Sequence, residues 1–466
     1  MNAALPTLER LKLIVGEGGW STDPDRLAPK LVEWRDRWHG ETPLLLLPRT
    51  TEEVAAIVRL CSETGTAITP QGGNTGLVGG QIPKGEVLLS TERLNRVREV
   101  AEDDDVLVVE AGVTLHAAHA AAAGAGRFFP LSLASEGSCT IGGNISTNAG
   151  GTAVLRYGTV RSLVLGLEAV LPNGEIFHGL KRLRKDNTGY DLKQLLIGAE
   201  GTLGVVTAAA LKLFPILADR AVAVVALASP AAAIALLHRA KDASGGAVEA
   251  FELMNALGLS LAQKNLGLRS PLEGTPPWVA LIEMASAEAG QSGRAMERLL
   301  AAALDDGLIR DAALAQNESQ AKAFWAVREG QSGAQKPEGA AWKHDISVPV
   351  SQVAAFIEQA SAAVEALQSG ARIVAFGHVG DGNIHYDVLA PSGADQAVHA
   401  ALRDRGAHAV HDIAVRLGGS ISAEHGLGTM KSHEALAYKD PPEVETMRAI
   451  RTALDPKRIM NPRVLF

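Results

Sequence analysis

Three histidines and a glutamate in the last quarter of the chain have the types and spacing to hold a divalent cation and use it. Residues 376–387 read Phe-Gly-His-Val-Gly-Asp-Gly-Asn-Ile-His-Tyr-Asp. Asp381-Gly382 predicts a two-residue type I′ turn, which requires positive φ at both central positions. A hairpin closed there makes His378 and His385 directly opposed partners, with Cβ atoms roughly 4.5–5.5 Å apart. Imidazoles at that separation can share one ion. Further on, Ser422-Ala-Glu-His-Gly426 supplies the carboxylate of Glu424 and the imidazole of His425. Two His, one Glu and an open position form the shell of a catalytic zinc, although imidazole and carboxylate also accept other divalent ions. The alternative is two histidines on an ordinary hairpin, one of them satisfied by backbone.

Three loops rich in glycine lie upstream. They are Gln71-Gly-Gly-Asn-Thr-Gly-Leu-Val-Gly-Gly80, a stretch from Gly137 to Gly151 that also carries Asn, Ser and Thr, and Gly198-Ala-Glu-Gly-Thr-Leu-Gly204. Glycine lets backbone approach a ligand closely and adopt positive φ, and successive N–H groups can then form an anion nest. The loops are neither a Gly-x-Gly-x-x-Gly dinucleotide fingerprint nor a P-loop, because the chain contains no Gly-Lys-Ser/Thr. Each alone reads as a structural turn. Three in one region point to a large phosphate-bearing cofactor, with Ser, Thr, Asn and backbone donating to a diphosphate and a polar ring edge.

The elements that must position these groups follow from periodicity and caps. Residues 1–40 read as largely helical, then 43–48 as a short buried strand. Thr50-Thr-Glu-Glu53 is a capping box that opens a helix ending near Gly65. Short strands follow at 67–70, 87–90, 106–110, 163–171 and 205–213, with an Ala-rich helix at 110–125. A boundary is expected near Pro215. Beyond it, strands at 221–228, 278–284, 371–377 and 384–390 alternate with Ala-rich helices at 230–243, 286–305, 351–368 and 396–417. That pattern predicts a sheet with helices on one face. Residues 311–345 read as a polar, Gly-rich segment lining a cleft. The expected organisation is α+β, with a first domain over 1–217 (core about 42–217), a second over 218–420 and a C-terminal segment over 421–466.

Composition narrows the classes. Of 466 residues, 47% are hydrophobic and 21% charged, ordinary for a globular chain with enough apolar mass for two cores. The net charge of −8 argues against a nucleic-acid partner. Cys61 and Cys139 alone make no disulfide framework and no thiolate metal cluster, which fits a reducing, cytoplasmic setting. The apolar run 221–237 is interrupted by Ser229-Pro230, an N-cap and first helical position, and so is not expected to span a membrane. The N-terminus carries charges and no apolar core of a signal peptide. A homodimer is the default assembly.

In order and spacing, several motifs together resemble the flavin-binding domain of the vanillyl-alcohol oxidase superfamily: Pro70-Gln-Gly-Gly-Asn-Thr-Gly-Leu, Gly142-Gly-Asn-Ile-Ser-Thr-Asn-Ala-Gly-Gly, Arg156-Tyr-Gly, Asp186-Asn-Thr-Gly-Tyr-Asp-Leu and Gly198-Ala-Glu-Gly-Thr-Leu-Gly. The later motifs Gly377-His-Val-Gly-Asp-Gly-Asn-Ile-His385, Glu424-His-Gly-Leu-Gly and Asp455-Pro-Lys-Arg-Ile-Met-Asn-Pro are similar to its D-lactate and D-2-hydroxyglutarate dehydrogenase branch. The resemblance covers nearly all of the chain after about residue 40. It implies a two-part FAD-binding domain, an α+β cap with an antiparallel sheet covered by helices, and a C-terminal tail returning to the FAD domain. FAD would be held by Pro70, Gln71, Gly72, Gly73, Asn74, Thr75 and Gly76 of the first loop. The second loop would add Gly137, Ser138, Gly142, Gly143, Asn144, Thr147, Asn148 and Gly151. Glu200, Gly204 and Val205 of the third loop, and Asn461 of the tail, complete the set. The first loop has no His or Cys for covalent attachment, so FAD is expected to be dissociable.

By the same resemblance His378, His385 and Glu424 would bind zinc, Asn383 would touch substrate, and His425 would be the catalytic base. Arg328, Ser332 and Lys343 would hold the carboxylate remote from the reacting carbon, as in the 2-hydroxyglutarate members. The chain departs from them in carrying Ser332 where Thr is usual and His344 where an aromatic is common. Without the family, Arg328 and Lys343 would read as solvated surface charges. The expected reaction is oxidation of D-2-hydroxyglutarate by hydride transfer to flavin, with electrons passing to an acceptor such as an electron-transfer flavoprotein or a quinone. The alternatives are a D-lactate or glycolate dehydrogenase, and a zinc hydrolase without flavin.

Overall fold

The computed structural model describes residues 5–465. Four residues of the expected N-terminal helical region, and Phe466 at the end of the expected C-terminal segment, lie outside the described residues. The chain divides into two compact units. The first comprises residues 1–151, 157–216 and 424–466, the second 152–156 and 217–423.

Two sheets organise the first unit. A four-stranded sheet runs Trp20–Ser21, Leu45–Leu46, Val87–Ser90, Ile68–Gln71, parallel except at its first pair. The expected capping box opens helix Thr51–Thr64: Thr50 Oγ1 accepts the Glu53 N–H at 3.2 Å. The reciprocal bond goes one residue further back, from the Arg49 N–H to Glu53 at 2.7 Å. Gly65 ends the helix in the left-handed region, φ 67°. A five-stranded antiparallel sheet runs Val97–Ala101, Val106–Glu110, Val205–Lys212, Val164–Val170, Ile176–Gly179. The C-terminal segment returns to this unit: Ile68 and Met460 form a parallel bridge, and Ile450 and Leu454 of helix Pro441–Leu454 pack on the core of the five-stranded sheet.

The second unit is one seven-stranded antiparallel sheet in the order Asp311–Leu314, Asp219–Leu227, Trp278–Ser286, Val248–Asn255, Arg372–His378, Asn383–Leu389, Ala341–Ser347. Ser229 Oγ accepts the Ala232 N–H and starts helix Pro230–Ser244 at the expected cap. No helix among the described residues is long and apolar enough to cross a membrane. The helix expected over 396–417 is broken at Leu402 into Gln396–Ala401 and Arg403–Arg416.

The expectation of helices on one face is corrected. Ala223, Val225 and Leu227 pack with Leu236, Met296, Phe356 and Val410 on one side, whereas Val222, Val224 and Ala226 pack with Leu259, Phe324 and Val327 on the other. Both faces are buried, so residues 221–227 read as a continuous apolar run with no alternation to show a second layer. The segment read as polar and Gly-rich, 311–345, holds strand Asp311–Leu314, helix Glu318–Glu329 and the start of strand Ala341–Ser347.

Candidate active site

Alternation along antiparallel strands puts every second side chain on one face. In the second unit this gathers Glu252, Phe376, His378, His385, Asp387, Lys343 and Asp345 from four adjacent strands on the face that carries Met254 and Val374. The polar groups are paired. Glu252, 1% exposed, receives the Arg328 Nε–H at 2.6 Å on one oxygen and lies 2.6 Å from His378 Nδ1 on the other. Burial pushes the Glu252 carboxyl up, but the charges of His378 and Arg328 outweigh that and hold it at about 2. The Arg328 guanidinium also lies over Phe376, 5.1 Å from the ring centre. Lys343 Nζ donates to Asp387 at 3.1 Å, Gln335 at 3.3 Å and Ser332 Oγ at 3.4 Å. Arg328 is buried and Lys343 mostly so, and both face carboxylates; neither is the solvated surface charge of the alternative reading.

The hairpin differs from expectation. Only Gly382 of the Asp381-Gly382 pair has positive φ, 86°, so the turn is not type I′. The Gly382 N–H bonds back to His378 O at 3.1 Å around residues 379–382, while Asp381 Oδ1 accepts the Asn383 N–H at 3.1 Å. That side-chain bond stabilises a longer turn and shifts the pairing. Phe376, not His378, opposes His385. A shift of two residues preserves the face, so the imidazoles are diagonal neighbours with ring centres 6.0 Å apart.

His378, His385 and Glu424 still bring one ligand atom each within 4.8 Å of one another. Glu424 follows Ala423, whose N–H donates to Asp345 O at 3.2 Å. Glu252 accepts from His378 at Nδ1, and a carboxylate behind the imidazole is an arrangement common behind metal-bound histidine. Asp345 lies 3.7 Å from His385 Nδ1. Two imidazoles and a carboxylate backed by buried acids suit a divalent ion. Asn383 is buried, donating to Asp345 at 2.9 Å and to Ile346 O at 2.9 Å, and its Oδ1 has no partner among the described residues.

The glycine loops of the first unit form a cradle of backbone. A Cβ on Gly73 would lie 1.9 Å from Ser138 O and one on Gly72 2.3 Å from Thr140 Oγ1, so the first and second loops touch at a distance only glycine allows. The N–H groups of residues 73–76 donate to no protein acceptor among the described residues, as an anion nest requires. Gly142, Gly151 and Gly204 are equally tight: a Cβ there would lie 2.6 Å from Ala111 Cβ, 2.2 Å from Ser132 O and 2.7 Å from Val170 O. A Cβ on Gly137 or Gly143 meets no such backbone contact. Pro70 lies within strand Ile68–Gln71 and Val205 starts the central strand of the five-stranded sheet. Asn74, Asn148, Glu200 and Asn461 adopt φ of 54°, 49°, 50° and 41°. They are four of eight non-glycine residues with positive φ among those described, so backbone strain concentrates in these loops.

Most polar side chains of the loops bond to protein groups. Asn74 Nδ2 donates to Pro29 O and Val32 O, and Gln71 Nε2 to Lys30 O and Gln81 O. Asn148 Oδ1 accepts the Arg161 N–H, Thr147 Oγ1 donates to Gly143 O, Ser138 Oγ to Ser135 O, and Asn144 Nδ2 to Cys139 Sγ. Gly76 O accepts from Gln81 Nε2 beside Thr75. With few side chains available for packing, amides and hydroxyls hold the loops in shape. Two buried oxygens, Gln71 Oε1 and Asn461 Oδ1, have no protein partner among the described residues and offer acceptors to a bound group. Cradle, nest and acceptors together fit a dinucleotide.

Within the same unit, Glu200 accepts the N–H groups of Leu427 at 2.9 Å and Gly428 at 2.8 Å, which anchors the loop that carries His425. Glu252, Asp345 and Asp387 were not anticipated from sequence. Glu252 stands in an apolar strand, 248–255, and a charge in such a strand was the available signal.

Residues 216–465 match the family model of the C-terminal domain of FAD-linked oxidases, and residues 42–179 match that of an FAD-binding domain. The chain is 40% identical over 460 residues to the mitochondrial D-2-hydroxyglutarate dehydrogenase of Bos taurus, covering 98% of this chain and 82% of that one. It is 36% identical to the D-2-hydroxyglutarate dehydrogenase of Xanthomonas citri pv. viticola, covering 96% and 93%. Among solved structures, p-cresol methylhydroxylase superposes with a TM-score of 0.78 at 15% identity, covering 99% of this chain and 96% of that one.

Proposed function

The chain belongs to the FAD-linked oxidases of the vanillyl-alcohol oxidase superfamily and is an FAD-dependent oxidoreductase; on that premise we propose that it oxidises D-2-hydroxyglutarate to 2-oxoglutarate with the help of a divalent cation. Membership sets aside the hydrolase without flavin. The observation that carries the substrate reading is the sheet face of the second unit, where two cations, Arg328 and Lys343, are oriented by the buried carboxylates Glu252 and Asp387. A monocarboxylate such as D-lactate has no second carboxylate for them.

Glu252 engages Arg328 through Nε, and Nη1 and Nη2 make no protein hydrogen bond among the described residues. Those donors are the pair that would grip the remote carboxylate side-on, with Lys343 and Ser332 as a point charge and a hydroxyl beside it. His378, His385 and Glu424 would hold the cation, zinc being the ion that best suits two imidazoles and a carboxylate. A cation held there would supply Lewis acidity to the substrate hydroxyl. FAD held in the cradle would supply the hydride-accepting ring. Asn383 would orient substrate through its amide. His425 would take the hydroxyl proton, a role suited to an imidazole whose ordinary pKa lies near neutrality. An electron-transfer flavoprotein or a quinone would then remove the electrons.

Anaerobic mixing with D-2-hydroxyglutarate, D-lactate and D-malate, followed by flavin absorbance, tests this directly. Bleaching should be fastest with D-2-hydroxyglutarate; equal rates with D-lactate would remove the dicarboxylate assignment. A chelator should abolish turnover and added zinc restore it. Insensitivity to chelation would remove the cation.

A further inference from the structure

The resemblance groups Glu200 with the FAD-holding residues, yet both of its carboxylate oxygens are occupied elsewhere. We propose that Glu200 is a positioning residue of the reaction, its half-buried carboxylate fixing the loop that presents His425. The inference rests on the reading of His425 as proton acceptor. Glu200 Oε1 accepts the Leu427 N–H at 2.9 Å and Oε2 accepts the Gly428 N–H at 2.8 Å. Both donors are on the chain just past His425, so the grip leaves that loop little freedom to shift.

The surroundings show that the grip is tight. Gly426 has φ 76°, and a Cβ on it would lie 2.8 Å from Glu200 Oε1. Gly428 has φ 52°, and its Cβ would lie 2.3 Å from Val78 O, which also accepts the Thr429 N–H at 3.0 Å. The loop is thus held on one side by the first glycine loop and on the other by the third. Glu200 is itself immobilised. Its φ of 50° is in the left-handed region, its N–H donates to Ser146 O at 2.8 Å, and its carbonyl accepts Asn461 Nδ2 at 2.8 Å. Asn461 also donates to Gly80 O. Flavin cradle and proton acceptor therefore share one rigid frame.

Chemistry selects glutamate here. A carboxylate offers an acceptor to each of two adjacent N–H groups, whereas a glutamine would set its own amide N–H against one of them. No lysine or arginine pairs with Glu200 among the described residues. Burial accordingly pushes its carboxyl up, while the two N–H groups pull it back. An acid partly withdrawn from water without a counter-cation is found preferentially where function requires it.

The test uses the flavin-loaded enzyme with whichever 2-hydroxy acid bleaches the flavin, so it does not depend on the substrate's identity. Glu200→Gln should keep its flavin band and leave KM little changed. Its kcat should fall by roughly 10–100-fold, the usual consequence of losing an orienting partner. Glu200→Asp, which keeps the charge but is shorter, should fall between. The decisive measurement is a cycle with His425→Ala. If Glu200 acts through His425, Glu200→Gln adds no further loss in that background. Additive losses, or flavin lost from both Glu200 variants, would overturn the proposal and leave Glu200 as a cradle residue. Full turnover of His425→Ala alone would instead overturn the base assignment, a separate outcome.

Discussion

The cradle of the first unit and the polar sheet face of the second are built by opposite means. In the cradle, backbone does the work: glycines permit contacts that a Cβ would block, four non-glycine residues adopt positive φ, and polar side chains hold loop carbonyls. On the sheet face, regular strands hold the backbone and charged side chains supply the chemistry, each oriented by a buried acid. A backbone-built site tolerates changes of charge but no added volume at its glycines. A side-chain-built site tolerates volume at its edges but no loss of a charge partner.

The largest expected effect tests the second half of that contrast. Glu252→Ala leaves the Arg328 cation buried without its carboxylate and releases His378. Breaking a buried ion pair from one side costs about 3–5 kcal/mol, so urea unfolding should show a loss of that order. Turnover should disappear while the flavin band persists. Gly73→Ala tests the first half. Its Cβ would sit 1.9 Å from Ser138 O, and the loops must separate. Forced repacking of that kind costs about 1–3 kcal/mol, and flavin absorbance per protein should drop sharply. If Gly73→Ala kept its flavin and Glu252→Ala lost it, the division of labour would be wrong.

The same contrast explains what could be read from sequence. The α+β class was legible from caps and strand lengths, as at Thr50 and at Ser229-Pro230. The cradle was legible because a backbone site leaves glycines in the sequence, contiguous and in order. The sheet face was only half legible. His378, His385 and Glu424 were visible as residues able to bind metal, and the structure gathers them. Glu252 was not, because it is 126 positions from His378 and only strand pairing reveals the contact. The second helical layer was hidden because a strand buried on both faces loses its alternation. The type I′ turn failed because the Asp381 side chain caps Asn383 and lengthens the loop. Dipeptide preference cannot register that competition.

Arg328→Lys sharpens the contrast at a smaller scale. Lysine keeps the charge beside Glu252 but has no planar fork for a second carboxylate. Stability should change little. KM for D-2-hydroxyglutarate should rise roughly 10-fold or more, the worth of about 1.5–3 kcal/mol in a charged hydrogen bond, with D-lactate affected much less. Equal rises for both substrates would mean that Arg328 does not read the remote carboxylate.

The smallest effect comes from a side-chain pair placed outside either site. Arg463 Nε donates to Glu86 at 2.8 Å and ties the C-terminal tail to the first unit. Burial pushes the Glu86 carboxyl up, but the Arg463 hydrogen bond and charge, with backbone donors, hold it below its ordinary value. A carboxyl held low contributes stability that is complete above its unfolded pKa and is lost as pH falls through its folded one. Arg463 is partly exposed, so screening keeps the contribution under about 1 kcal/mol. Arg463→Gln should therefore shift the unfolding midpoint slightly near neutrality, and the shift should vanish as both proteins are titrated from about pH 5 to below pH 3. Glu252 follows the same sign but with partners removed from solvent, and its deletion should outweigh this one several-fold. Equal effects would mean that burial of the sheet-face acids adds nothing to their hold on Arg328 and His378.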